Sequence, residues 1–595
     1  MANWICILDD DADRRSAFVD RIKPRISPIG GLTTGFHDGG NWSVMWAAAG
    51  SAPVDSNMEE GGATFAWGEV RQPDGTLLDA TAIGAVLDKN TGQQWDGYYS
   101  TIRISEHGKR LIVGADCLGL FPVYYWTDGG GVTLCGSSLE LFRFHPLFQS
   151  ALNWRGLVGI LLTNGLVDGE TMWQGVRRLG AGMRLEIDGA HASEVATYRL
   201  PDDGEFEDIP FRGHLKQLHE TMQDTMSRHT AGDGSLSVML SGGLDSRVLA
   251  GYLSDRGSSM TAITFGESQD HEMKAAASVA RAIGAQHLAS DIVDSVADAE
   301  NLARWEHLAA GFCGLYEWGY HDAVAGAGDR IVVGHLLDRV VGGILVGKAY
   351  DSDSRDMSFE HAVSPVQEWC LDPETLKSML PEEQRHLVAE TLDFLRSHYE
   401  SLSQHEHVRA WIFDLLYRQR FHVGGVLWST SFGAWPVVPA LDQKLLDVCA
   451  HFPGSTIGER RAQAGLVTTF FPTLARIPLD RNSDDTLPLT PSFGDFLKRS
   501  IGYRVERLKK TFGIGGNDPV FYRRIYDFES PRWRAIRQST EANRALLHTH
   551  LDKDAVDALW PPAGQETDYE NVIRDPNPVR LLIGLSIILR NIEAL

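Results

Sequence analysis

The segment Ser237-Val-Met-Leu-Ser-Gly-Gly-Leu-Asp-Ser-Arg247 constrains this 595-residue chain more than any other feature, because it joins an apolar strand to a helix through a loop shaped to hold an anion. Val238, Met239 and Leu240 read as a buried strand, and Asp245-Ser246 opens a helix that continues through Arg247-Val-Leu-Ala250. Gly242 and Gly243 let the backbone approach phosphate oxygens closely, at a helix N-terminus whose N–H groups carry partial positive charge. Ser241 and Ser246 add hydroxyl donors, and the Asp245 carboxylate suits Mg2+ held against the β- and γ-phosphates of a nucleotide. A Walker loop needs lysine after its last glycine, whereas Leu244 follows Gly243, so phosphoryl transfer to a kinase substrate is disfavoured. The competing reading is a glycine-rich strand-to-helix turn without a ligand.

The chain is long enough for two domains, each with a sizeable core. Its 55 basic and 79 acidic residues give a net charge of -24, which repels a phosphate backbone, so no nucleic-acid partner is expected. Cys6, Cys117, Cys135, Cys313, Cys370 and Cys449 lie far apart without a C-x-x-C pair, which argues for core thiols in a reducing compartment and against structural zinc or a disulfide framework. The N-terminus lacks the basic and longer apolar regions of a signal peptide and reads as a first strand. The most apolar stretch, Ile331 to Gly347, is interrupted by His335, Asp338 and Arg339, so a soluble, cytoplasmic protein is expected, without a membrane partner.

Up to about Leu200, short β-patterned segments alternate with Gly/Asp/Asn turns: Thr64 to Val70, Gly97 to Ile104, Arg110 to Gly114, Val123 to Trp126 and Gly131 to Cys135. This predicts an antiparallel sandwich over residues 1–200. Residues 201–210, acidic and with two prolines, read as a linker. In 211–595 the grammar changes: helix Phe211 to His229, strand Ser235 to Leu240, strand Met260 to Phe265, helix Asp270 to Ile283, strand Gln286 to Leu288, helix Val296 to Ala310, strand Ile331 to Val333. That alternation predicts a doubly wound parallel sheet, followed from Leu371 by mainly helical additions such as Val408 to Tyr417 and Arg580 to Ile592. His548-Thr-His550 lacks a third ligand and reads as a solvated helix end, and Asp351 to Asp356 departs from an EF-hand and reads as an exposed acidic loop.

A second phosphate-side element is expected at another strand end, and Ile331-Val-Val-Gly-His-Leu-Leu-Asp-Arg-Val-Val-Gly-Gly343 supplies it. Its strand ends at Gly334, Asp338 offers a carboxylate to share Mg2+ with Asp245, and Gly342-Gly343 permits another close backbone approach. Glu272, in the first turn of the helix opening at Asp270, faces either the phosphates or solvent.

SGGLDS at Ser241 resembles the signature of the ATP pyrophosphatases, which cleave between the α- and β-phosphates. With the D-x-E helix at Asp270 and G-x-x-x-D-x-x-x-G-G at Gly334, it resembles the asparagine synthetase-like superfamily in order and spacing. Trp435-Pro-Val-Val-Pro-Ala-Leu-Asp442 is similar to that family's R-x-P-F-L-D segment without its arginine, and Gly114 to Tyr125 resembles R-D-x-x-G-x-x-P-L-Y-Y. The resemblance implies an α/β chain: a class II glutamine amidotransferase-like antiparallel β-sandwich, then an ATP pyrophosphatase-type doubly wound parallel sheet. It implies ATP and Mg2+, with ATP held by Leu240, Ser241, Gly242, Gly243, Asp245, Ser246, Phe265, Glu272 and Gly334, and the metal by Asp245 and Asp338.

An active amidotransferase of this class uses a cysteine at the second position, where this chain has Ala2, and Cys6 lacks a terminal amine of its own to activate it. Glutaminase activity is therefore expected to be absent, and the attacking amine must arrive with the substrate. Family members with this loss close cyclic amides: β-lactam synthetases on a small amino acid, lasso peptide cyclases on a peptide. His335 stands where asparagine synthetases have glutamate and β-lactam synthetases tyrosine; an imidazole titrating near neutrality would serve as the base for the amine, or the side chain only packs at a strand end. The family's lysine is absent from Ala475-Arg-Ile-Pro-Leu-Asp-Arg-Asn482, which leaves Arg476 or Arg481 to supply its charge. The expected catalytic set is thus His335, Asp338, Asp245 and Arg481. Insertions from Phe359 to Gln404 and beyond Arg481 favour a cavity for a peptide, hence a lasso cyclase-like macrolactam synthetase with a precursor peptide, a leader-binding protein and a leader protease as partners. The alternatives are a small-molecule amide synthetase and an inactive scaffold.

Overall fold

In the computed structural model, the residues described are 2–89, 94–202, 206, 209–232, 234–290, 320–343, 357–480, 486–511 and 520–593. Twelve strands form the N-terminal part: β1 (Ala2–Leu8), β2 (Thr33–Asp38), β3 (Trp42–Ala48), β4 (Val54–Glu59), β5 (Gly62–Gly68), β6 (Tyr99–Ser105), β7 (Arg110–Ala115), β8 (Tyr124–Thr127), β9 (Thr133–Gly136), β10 (Arg177–Arg178), β11 (Met183–Asp188) and β12 (His191–Ala196). They make two antiparallel six-stranded sheets, ordered β10-β8-β9-β1-β3-β2 and β12-β11-β7-β6-β5-β4.

Alternation along β1 explains how the layers stack, since successive side chains point to opposite faces. Trp4, Cys6 and Leu8 turn inward, where the Trp4 ring lies parallel to Trp67 of the other sheet at 4.8 Å between centroids. Ile5 and Ile7 turn outward onto Phe18 and Ile22 of the helix Ala12–Ile22, whose first turn is capped by Asp11 accepting from Arg14 N. On the far side, Ala66 and Ile112 pack on Ile83 and Leu87 of the helix Ala80–Asp88. The order of layers is helix, sheet, sheet, helix. The sequence pattern had shown the sandwich but not these covering helices, because each is short and its apolar positions merge with the strand signals around it.

The C-terminal part is built on β13 (Leu236–Met239), β14 (Thr261–Phe265), β15 (Gln286–Ser290), β16 (Arg330–Val332) and β17 (Trp435–Val437). All pair in parallel, in the order β15-β14-β13-β16-β17. Val238, Ile263 and Val332 are fully buried, as sheets covered on both faces require. The chain winds outward from β13 to β15, then returns to the other side of β13 for β16 and β17. The reversal falls between β13 and β16, where a doubly wound sheet opens a crevice at its carboxyl ends. The segment carrying Trp435 to Asp442, read from sequence only as a motif, contributes the edge strand β17. The expected helix Val296 to Ala310, the loop Asp351 to Asp356 and Cys313 lie outside the described residues; the other five cysteines are buried free thiols.

The two parts share one apolar core that runs from Trp4, Trp67 and Phe121 to Val238, Leu249 and Trp435. Trp435 lies 5.6 Å from the Tyr98 ring and so close to Gly68 that a Cβ there would meet its indole at 2.5 Å. A second core joins the outer face of the first sheet and the helix Trp154–Thr163 to Trp533, Trp560 and Leu582 near the C-terminus. The expected helix Val408 to Tyr417 is an α-helix only over Glu406–Asp414; a π-helical turn, Leu415–Gln419, then carries the chain into Arg420–Thr430. No described helix is long and apolar enough to cross a membrane.

Candidate active site

Adjacent strands β13 and β16 deliver the two glycine-bearing loops to one place. Gly242 adopts φ +82°, and a Cβ on it would strike Ala275 and Ala276 of the helix His271–Ile283, so only glycine fits this turn. Leu240 continues the sheet, its N–H donating to Ile263 O and its carbonyl accepting from Thr264 Oγ1. The loop then gathers on its own hydroxyls: the N–H groups of Ser241 and Gly242 donate to Ser246 Oγ, and Gly243 N–H donates to Ser241 Oγ. The donors expected to cradle an anion are thus collected in one turn. Phe265 closes β14 and is buried.

Asp245 lies in the first turn of the helix Leu244–Tyr252, and Gly334 at the end of β16 presses against it: a Cβ on Gly334 would sit 3.0 Å from Asp245 Cβ. After Gly334, Leu336 takes a left-handed φ of +71°, a conformation costing a branched residue about 1–2 kcal/mol. That kink starts the short helix Leu337–Val340, with Asp338 in its first turn. Asp245 accepts from Arg460 Nη2 at 2.7 Å and from Gln463 Nε2 at 2.5 Å. Burial pushes its carboxyl up to about 6, with the Asp338 charge adding to the rise and Arg460 and Gln463 opposing it. Two carboxylates strained by each other's charge form a donor set that fits a divalent cation.

Arg460, which sequence reading did not single out, is the guanidinium that reaches Asp245; it carries φ +61° and donates its N–H to Gly342 O. The close backbone approach expected of this glycine pair is present at Gly342. A Cβ at Gly342 would meet the carbonyl of Asp338 at 2.4 Å and Gln463 at 2.8 Å, so the close approach is to the protein itself. Arg476 is exposed, and Arg481 lies outside the described residues. Neither Arg460 nor Gln463 has a local signature, since each reaches the loop from more than 200 residues along the chain.

Arg247, fully buried, ties the next segment to the loop: it donates to Gly242 O, Leu474 O, Ile477 O and Pro478 O. This brings Asp480 up to Gly243, where a Cβ would lie 2.8 Å from its carboxylate. Glu272 is buried, not solvated: its Oε2 accepts from Phe521 N at 3.5 Å, its Oε1 has no partner, and burial, with Asp480 and Asp270 adding like charge, pushes it up to about 7. Asp270 is held by a two-pronged pair with Arg524, both contacts 2.6 Å.

His335 corrects another expectation. Burial depresses its imidazole to about 4, so it is neutral but a weak base, rather than a group titrating near neutrality. Its Nδ1 is out of solvent and unpartnered. Next to it His422 is held near 3 by burial and by Arg418, His335 and Arg339. Arg339 Nε reaches Asp338 at 3.2 Å and the buried Asp414 at 3.5 Å. Beyond Asp338 there is thus a buried cluster of neutral imidazoles and guanidinium groups, in which Arg339 is paired with Asp338 and Asp414 and Arg418 with Glu368.

Two other aspartates are closed off. Asp442 caps the helix Gln443–Ala450 and is gripped by His229 at 3.0 Å and Arg228 at 2.7 Å. With Asp96 it forms a metal-like cluster of three, but Arg228 also reaches Asp96 at 3.2 Å and already supplies the cation. In the sandwich, Ala2 pairs with Ala48 across β1 and β3, and Cys6 is buried opposite Cys135. A buried thiol in a strand interior cannot meet glutamine.

Two solved structures, one described as the allosteric regulatory enzyme of purine biosynthesis and one as a glutamine phosphoribosylpyrophosphate amidotransferase from B. subtilis complexed with ADP and GMP, align at 10% identity with TM-scores of 0.23. They cover 40% and 49% of this chain and 60% and 65% of theirs, and at such scores they carry no argument. Putative glutamine-hydrolysing asparagine synthetases of Mycobacterium bovis and Mycobacterium tuberculosis are 25% identical over 191 residues, 30% of this chain. The match spans only 29% of those relatives' length. The family described as asparagine synthase matches residues 217–307, a stretch that includes the loop after β13 and the helix His271–Ile283.

Proposed function

We propose that the chain is an ATP-dependent, AMP-forming amide ligase whose carboxylate and amine both come from one peptide, closing a macrolactam of the lasso type. The observation that carries the chemistry is the meeting of Asp245 with the Gly334–Asp338 segment at the reversal of the parallel sheet, beside a loop with no Walker lysine. A substrate side-chain carboxylate attacks the α-phosphorus of ATP, the bond to the β-phosphate breaks, and pyrophosphate leaves. Asp245 and Asp338 are the residues that would hold Mg2+, which would supply neutralising charge to that leaving group. Arg460 stands beside the same carboxylates as a further cation. The peptide's N-terminal amine then attacks the acyl carbon, AMP departs, and the amine's proton passes to solvent, since the His335 imidazole, depressed to about 4, is too weak a base to hold it.

The peptide is favoured over free ammonia because Ala2 offers no nucleophile to release ammonia from glutamine. A leader-binding protein and a leader protease are the partners such a reaction calls for, in the cytoplasm where ATP is supplied. The test is incubation with Mg2+-ATP and short synthetic peptides that carry a free N-terminal amine and an Asp or Glu side chain, with small amino acids as the comparison. AMP, pyrophosphate and a peptide lighter by one water are expected; stoichiometric ADP would refute the adenylation, and AMP formed only with a small amino acid would refute the peptide.

A further inference from the structure

The chain carries 24 more acidic than basic residues, yet residues 493–511 hold six Lys or Arg against two Asp or Glu. They form one 19-residue helix, Phe493–Thr511. Phe493, Leu497, Ile501 and Val505 recur every fourth position along one ridge, exposed by 86%, 54%, 53% and 44%, with Phe496 beside them at 47%. These are five of the twelve large apolar side chains exposed among the described residues, so this surface is concentrated rather than scattered. Lys498, Arg499 and Arg504 are exposed on the same helix. Its start is fixed locally: Ser492 N–H and Oγ donate to Asp495 Oδ2, and Asp495 N–H donates back to Ser492 Oγ. A helix of this length with an uncovered apolar ridge is marginal in water and gains stability when the ridge is covered.

Its place in the chain points to what covers it. Leu474 to Pro478, before the helix, are clamped to the phosphate loop by Arg247. After it, Phe521 N–H faces Glu272 and Arg524 pairs with Asp270. Both anchors stand at the nucleotide side of the cleft. We infer that the helix Phe493–Thr511 is the docking surface for the substrate peptide, taking an acidic amphipathic segment whose apolar side chains cover the ridge and whose carboxylates meet Lys498, Arg499 and Arg504. This rests on the reading of the cleft as a peptide-adenylating site. A second copy would set basic helix against basic helix, and an anionic membrane would repel the rest of a chain of net charge -24. A peptide meets only the local basic face, and docking on a helix whose flanking segments are both tied to the cleft raises its effective concentration there.

The experiment uses the full chain and a fluorescein-labelled amphipathic helix of about 20 residues built from Leu and Glu, against the same pattern with Lys for Glu, read by anisotropy. The Glu peptide is expected to bind, more weakly as salt rises, and to lose about tenfold or more in Leu497→Ser/Ile501→Ser and in Lys498→Glu/Arg504→Glu, while the thermal shift given by Mg2+-ATP is unchanged. Equal binding of the Lys peptide, or wild-type affinity in both variants, overturns the inference. Sedimentation with phosphatidylglycerol vesicles, or self-association, lost in the same variants without any peptide binding also overturns it, in favour of a membrane surface or a second copy. The two readings fail separately. If the variants turn over a peptide that the wild type cyclises with unchanged KM, docking falls and adenylation stands; if they lose peptide binding but wild type makes ADP, docking stands and adenylation falls.

Discussion

Asp116 in the sandwich and Asp245 in the cleft are both held near pH 6 by burial, yet they do opposite things. Asp116 accepts from the backbone N–H groups of Leu118, Leu120 and Phe121, so its charge is spent on shaping the turn that leads into β8. Asp245 is met by side chains, Arg460 and Gln463, and keeps about a quarter of its side chain exposed beside Asp338. A raised carboxyl therefore does not mark a working group by itself. What distinguishes the second is that its partners are rotatable and its neighbour carries the same charge, so a metal ion improves the arrangement rather than breaking it.

The largest effect that tests this contrast is on turnover. Asp245→Asn and Asp338→Asn are each expected to lower AMP formation by about a thousandfold or more, with the melting temperature little changed, because each removes a metal-binding charge and no core contact. Near-wild-type rates in either variant would place the metal elsewhere. Arg460→Gln is expected to cost about 100-fold in kcat, the usual loss for one charge facing a departing group; a loss confined to KM would make it a binding residue only. Asp116→Asn should do the reverse: urea unfolding should show a loss of about 2–3 kcal/mol, since an amide nitrogen now faces backbone donors, with kcat for the folded protein retained.

A smaller effect comes with pH. His335 falls from an unfolded value near 6.5 to about 4 in the fold, so between those values the unfolded chain binds the extra proton and stability falls as pH drops from 7 to 5. His335→Gln should remove about 1–2 kcal/mol of that loss in paired urea titrations at pH 7 and pH 5; an identical pH dependence in the variant would show the ring to be freely hydrated. The smallest expected effect is none: glutamine should release no glutamate above a blank, and Cys6→Ala should leave ring closure unaltered. Glutamate release abolished by that substitution would reverse the reading of Ala2.

The sandwich and the parallel sheet were legible because their signals are local: alternation marks β5 to β9, and Gly242-Gly243 between an apolar strand and Asp245 marks the loop. The alternation of strands and helices followed from the same local grammar, whereas the reversal between β13 and β16 appeared only in the strand order. The covering helices Ala12–Ile22 and Ala80–Asp88 escaped it, being too short for a clear 3.6-residue pattern. Arg460, Gln463 and Asp480 also escaped it, because nothing in their surroundings records that they fold back onto Asp245 and Gly243.

By itself the sequence determined the residue types that any such site must contain: glycines where the backbone turns, two aspartates at strand ends, and no nucleophile at position 2. Only the tertiary structure decided their state. Burial lowered His335 and raised Asp245 and Glu272, Arg228 rather than a metal neutralised Asp442, and Arg460 reached Asp245 from more than 200 residues along the chain. The reason is that desolvation and charge pairing depend on distances of a few ångströms between residues far apart in the chain, which folding sets and local sequence does not record.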